Sequence, residues 1–331
     1  MARIWRIFTI FTIVALPACS SLGSTPLAGS QSAGTQARAD TAQCPAAVVY
    51  AVKSGSGSIA IYDRDHLRHG PCGNISGLAS AQGLFVDSKG NLWVADSAAA
   101  RVYEFAPGTK SPTLTLSDPN GVPVDVTIDE PSGTAYVTEY QNNLNAQTLV
   151  EVYAKGSTLP TATLSDPNAR NGGSGAVDNQ GNLYVTFMTQ SNKAQVDEWI
   201  GGTGTPRNLG LQLISSGAIV TTKSGALAVC DPFAFRCGIF APGSTKMSNV
   251  FGHMGRRGGI GPDKPPFLHP NGLALERDER RAFVSADSLT EWDYPGPKHR
   301  PNHLPRVEIK IPGGAGSGIA VRPASLAGAP Y

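Results

Sequence analysis

The chain has 331 residues and a formal charge of +2 at neutral pH, long enough for one large domain and too close to neutral to argue for nucleic acid as a partner. Charged residues are sparse at 16%, while Gly and Pro number 38 and 25. Without the three-residue period of collagen, that composition suits a turn-rich β protein and argues against a helical bundle.

The first segment reads as an address. Arg3 and Arg6 precede an apolar run from Ile7 to Leu16. The run is shorter than the ~20 residues that cross a bilayer, so it predicts a cleaved export signal over residues 1–18. It ends in Leu16-Pro17-Ala18-Cys19, which resembles the bacterial lipobox. That resemblance implies a lipid on Cys19 and attachment to a membrane of the bacterial cell envelope, with plain secretion as the alternative. Residues 19–43 are rich in Ser, Gly, Ala and Thr and carry no hydrophobic period, the pattern of a flexible tether. Removing the signal removes Arg3 and Arg6 and no acid, so the formal charge falls from +2 to 0.

Five cysteines fit an oxidising compartment. With Cys19 assigned to the lipobox, Cys230 and Cys237 flank Asp231–Arg236 and are expected to face each other across a hairpin. Cys44 and Cys72 then staple the start of the domain. No CxxC or Cys/His spacing points to zinc.

From Ala47 onward the chain repeats. Gly83–Gly108, GLFVDSKGNLWVADSAAARVYEFAPG, reads as an inner strand, a turn, an alternating strand, a loop, a third strand and a Gly-Pro-type turn. The order recurs over Val124–Gly156, Ser174–Gly202, Gly217–Gly243 and Asn271–Gly296. A fourth strand follows each unit, and SPTLTLSDPN at Ser111–Asn120 returns almost unchanged as LPTATLSDPN at Leu159–Asn168. At the ends, GIAVRP (Gly318–Pro323) is an inner strand without a sequel, and Ala47–Asp63 supplies a second and third strand without an inner one. Together they complete a sixth unit. The prediction is an all-β fold: a six-bladed β-propeller of four-stranded antiparallel blades over 44–325, closed by pairing of the N- and C-terminal strands, with a tail at 326–331.

GLFVDSKGNLWVAD and PNGLAL resemble NHL-type six-bladed propellers and, more distantly, the gluconolactonase/regucalcin family, over roughly Ala46 to Ala324. The more distant resemblance implies a divalent cation, Ca²⁺ or another, on the propeller axis and a lactonase- or esterase-like hydrolysis. Asn271 matches one family ligand, and Asp125 adds a carboxylate one residue off the strict alignment. Gln82 stands where an Asp is expected. Otherwise the residues call for no cofactor, and no HExxH, GxSxG or P-loop is present.

The acids after the second strands, Asp96, Glu139, Asp231 and Asp287, recur from unit to unit, which argues for structure: such a carboxylate is expected to accept N–H groups of the following loop. Binding is expected instead where connections lengthen, at 140–147, 189–195 and above all 252–270, which carries His253, Arg256, Arg257, Lys264, Phe267 and His269. The candidate surface is Asp125, Tyr140, Arg236, Arg256, Arg257, His269 and Asn271. It suits a polar or anionic small molecule, a glycan or a protein partner, which makes the chain a binding or scaffolding module. Labelling cells with radioactive palmitate is expected to mark the protein and to fail on Cys19→Ser; label surviving that change would refute the anchor.

Overall fold

A computed structural model of the chain describes residues 44–119, 121–140, 148–251, 270–286, 288–294, 305–311 and 315–322. These form six four-stranded antiparallel sheets. Blade 1 is assembled from both ends of the chain: its inner strand is Ala315–Arg322, and Val48–Lys53, Ser58–Asp63 and Pro71–Ile75 follow outward. The inner strands of blades 2 to 6 are Ala81–Val86, Pro123–Asp129, Ala169–Val177, Ile219–Thr221 and Gly272–Leu275. Each inner strand touches the next, and that of blade 6 touches that of blade 1, so the sheets close into a ring. The predicted propeller and its closure are therefore observed.

The core consists of six seams. One cluster of buried apolar side chains lies between each pair of neighbouring blades. The second strands are apolar on both faces because each face belongs to a different seam. Val48, Tyr50 and Val52 face blade 2, while Val49 and Ala51 face blade 6. That placement is what a run such as VVYAV requires, since side chains alternate along a strand. Full burial of one such aliphatic side chain contributes about 1.5–3 kcal/mol.

Turns repeat as the strands do. In DSKGN the Asp87 carboxylate accepts from the N–H groups of Lys89 and Asn91 and from the Asn91 amide; Asp178 holds DNQGN in the same way. These are Asx turns between inner and second strands. Both expected disulfides are formed. Cys230 and Cys237 are directly opposed across the hairpin of blade 5, and Cys44–Cys72 ties the segment before Val48–Lys53 to the outer strand of blade 1. Among the described residues, no helix is long and apolar enough to cross a membrane.

The ring seals at blade 1 with polar contacts as well. Arg322 donates to the carbonyls of Ala46 (2.8 Å) and Pro45 (3.3 Å). Across the seam to blade 6, Glu276 is held by Arg281 at 2.7 Å and by Arg64 at 2.8 Å. Near the axis the crowding is severe: a Cβ on Gly318 would stand 1.8 Å from the Gln82 carbonyl oxygen, and one on Gly272 2.1 Å from that of Ser317. Gly318→Ala is expected to destabilise the fold by more than ~2 kcal/mol. Gly156→Ala, in an open turn at φ +82°, should cost only about 1–2 kcal/mol. Urea unfolding followed by tryptophan fluorescence compares the two.

Candidate functional site

Second strands end where inner strands begin, as the opposed pairs Ala81–Asp96 and Pro123–Glu139 show. One face of the ring therefore carries all inner-strand entries and the ends of the second strands. We call it the entry face. Register defines equivalent positions around it. Leu84, Val126, Gly175, Ile219, Leu273 and Ile319 lie opposite Val94, Val137, Val185, Val229, Val284 and Ala51. One residue earlier stand Gly83, Asp125, Ser174, Ala218, Gly272 and Gly318, and these line an axial channel of about 300 Å³.

Asp125 is the one charged side chain among the described residues of that channel, and it occupies the level that holds Gly83 in blade 2. Its Oδ2 accepts from Ser174 Oγ at 2.6 Å and from the Gly175 N–H at 2.9 Å, both in blade 4. Its Oδ1 lies 2.0 Å from where a Cβ on Gly83 would sit. The carboxylate thus bonds blade 3 to blade 4 and packs against Gly83 of blade 2, and burial pushes its pKa up to about 6. Asn271 belongs to blade 6, on the opposite side of the ring. The two proposed cation ligands share the channel, but Asp125 Oδ2 is engaged with blade 4. Among the described residues, no three His, Cys, Asp or Glu side chains gather into a metal cluster.

The acids ending the second strands split into two kinds. Asp96 accepts from the N–H groups of Ala79 (2.8 Å) and Ser80 (2.6 Å). Asp231 accepts from those of Ile214 (2.8 Å) and Ser215 (3.0 Å), and from Ala234 at 3.4 Å. The structural role is as expected, but the anchored backbone belongs chiefly to the connection entering the blade, not to the loop that follows. The reason is proximity, since that connection passes directly beside the second-strand end. Glu139 differs: it is buried beside Asp118 and Glu151, and desolvation together with those carboxylates raises its pKa far above the usual range. Asp287 lies outside the described residues.

Sequence reasoning missed Asp118 and Asp166. Both come from the repeated SDPN, which reads in sequence only as the end of an outer strand. Each is buried, Asp118 against Glu139 and Asp166 against Asp197, whose pKa burial and Asp166 push upward. The repeat itself was the available signal.

The remaining candidates are spread out. Tyr140 is 41% exposed at the rim of blade 3, and Arg236 pairs in register with Asp231 in blade 5. Arg256, Arg257 and His269 lie outside the described residues, as does Cys19. A second cavity, of about 500 Å³, opens on the entry face between blades 1, 2 and 6. Its polar lining includes Lys53, Ser54, Ser80, Gln82, Asn271 and Ser317, of which only Asn271 belonged to the candidate set. Ser317 Oγ donates to Gln82 Oε1 at 2.9 Å, and Gln82 Nε2 donates to Ser80 Oγ at 3.2 Å.

No family model matches the chain, and no curated protein does. Solved structures do. A chain of the nidogen/laminin complex is similar with a TM-score of 0.64 at 16% identity, covering 84% of this chain and 99% of that one. A protein of unknown function from Bacteroides caccae gives 0.58 at 12%, covering 83% and 98%. A calcium-binding protein, regucalcin, from Agrobacterium tumefaciens gives 0.54 at 12%, covering 76% and 81%. At such identities the likeness is one of fold, the six-bladed propeller.

Asp125 generates a pH prediction. A carboxyl whose pKa is raised on folding favours the folded state below its unfolded pKa, and that contribution is lost as pH rises through the folded value. Between pH 4 and pH 7 the stability of Asp125→Asn should therefore gain on wild type, by about 2 kcal/mol of the ~3 kcal/mol that a shift of roughly two pH units carries in full. Chemical unfolding at the two pH values measures it, and a gain by wild type would contradict it.

Proposed function

We propose that the protein is an exported binding module, anchored at the bacterial cell envelope through Cys19, that holds a polar ligand on the entry face. The observation that carries this reading is the cavity between blades 1, 2 and 6. It is roomy at about 500 Å³, and hydroxyls, amides and an ammonium line it. Such a mixture of fixed donors and acceptors orients a hydrated molecule by hydrogen bonding. Gln82, held between Ser80 and Ser317, is one preset contact. The two disulfides support an oxidising compartment. In the nidogen/laminin complex a propeller of similar fold is part of a protein assembly, which supports binding as the use of this scaffold here.

The reading favours capture over turnover because the axial carboxylate is engaged in joining blades. Thermal unfolding in the presence of a panel of sugars, sugar acids and peptidoglycan fragments tests it. A ligand at a hundred times its Kd stabilises by about 2.7 kcal/mol, so at least one class should raise Tm. Asn271→Trp, which places an indole at the cavity mouth, should abolish the rise while leaving the unliganded Tm nearly unchanged. Saturable, cation-dependent hydrolysis of lactones or esters would overturn the reading in favour of an enzyme.

A further inference from the structure

The second strands end level with one another but not in the same charge. Two residues beyond Val94, Val137 and Val229 stand Asp96, Glu139 and Asp231. Two beyond Ala51, the equivalent position in blade 1, stands Lys53. In blades 2 and 5 this level is where a carboxylate accepts the N–H groups of the entering connection. An ammonium has donors only and cannot do the same. Blades 4 and 6 carry the uncharged Phe187 and Ala286 at this level; a cation stands there in the blade that the two ends of the chain complete, and it lines the cavity.

Three further observations bear on what the cavity takes. Lys53 is half-buried, and no carboxylate of the described residues forms an ion pair with it. No Asp or Glu is among the described residues that line the cavity. The Gln82 amide is fixed at both ends, by Ser317 on its oxygen and by Ser80 on one hydrogen of Nε2, which leaves the second Nε2 hydrogen to point elsewhere. A partly desolvated cation beside preset neutral donors is a site for an anion, because charge-assisted hydrogen bonds strengthen as water is excluded.

Resting on the binding reading above, we propose that this cavity recognises a small anion, a carboxylate or phosphate carried on a hydroxylated skeleton, with Lys53 as its counter-charge. Gln82 and Asn271 then meet the ligand's hydroxyls. The same level that anchors the chain's own backbone in blades 2 and 5 is turned outward, in blade 1, toward a solute.

Amide chemical-shift titration of the isotope-labelled protein tests the proposal, with inorganic phosphate and glucuronate as anionic probes and glucose as the neutral one. Saturable shifts are expected at residues 53–57, 80–82 and 316–317 with both anions. Lys53→Gln should weaken anion binding at least tenfold, and Lys53→Arg should restore it to within a few-fold. Glucose binding as tightly as glucuronate, with Lys53→Gln unaltered toward both, would overturn the anion assignment and leave the binding cavity standing. Anion shifts that persist undiminished in Lys53→Gln would overturn it equally. If neither probe class perturbs these amides, the anion assignment and the cavity reading fall together.

Discussion

Six inner strands converge around one axial channel, and in places neighbouring strands approach each other too closely for a Cβ. This crowding governs the rest. It places Gly83, Gly272 and Gly318 at the same level of three blades, against carbonyl or carboxylate oxygens that a Cβ would overlap. It also explains how Asp125 is accommodated. The missing side chain of Gly83 is the hole into which the Asp125 carboxylate fits, and Ser174 in the next blade supplies its hydroxyl. Three adjacent blades are thus matched to one another by size and by hydrogen bonding.

Away from the axis, the same convergence brings each second-strand end beside the backbone that enters its own blade. Carboxylates there become anchors, as Asp96 and Asp231 illustrate. The apolar seams need no such guidance, since alternating residues of a second strand serve two neighbours at once. The buried acids form a separate system. Asp118 with Glu139, and Asp166 with Asp197, bring carboxyl groups together at the junctions of consecutive blades, and burial favours the protonated form of Glu139 and of Asp197.

The fold was legible because it is local and repeated. GLFVDSKGNLWVAD contains its own turn chemistry, and five copies of one order of elements leave little choice of architecture. The closure could also be read, since the two chain ends lacked complementary strands. The disulfides followed from parity and from the short hairpin between Cys230 and Cys237. The site was less accessible. Asp125 meets Ser174 across 49 residues, and Ser317 meets Gln82 across 235. No spacing rule connects such pairs before the ring is closed. Lys53 carried a readable signal, a cation where three other units place an acid, but its meaning depends on the register of blade 1. The long connection at 252–270 is conspicuous in the sequence, whereas Lys53 closes a short, regular strand, Val48–Lys53.

The Cys44–Cys72 bond has a mechanical meaning. A pull exerted on the start of the domain reaches Cys44 before it reaches any strand, and passes through sulfur to the outer strand of blade 1. The stretch between the two cysteines, which are 28 positions apart, contains the second and third strands of that blade, and the covalent bond bypasses it. Tension is therefore delivered to the rim of the ring as shear on Pro71–Ile75, while the pairing of Val48–Lys53 with the chain's last strand is shielded from peeling.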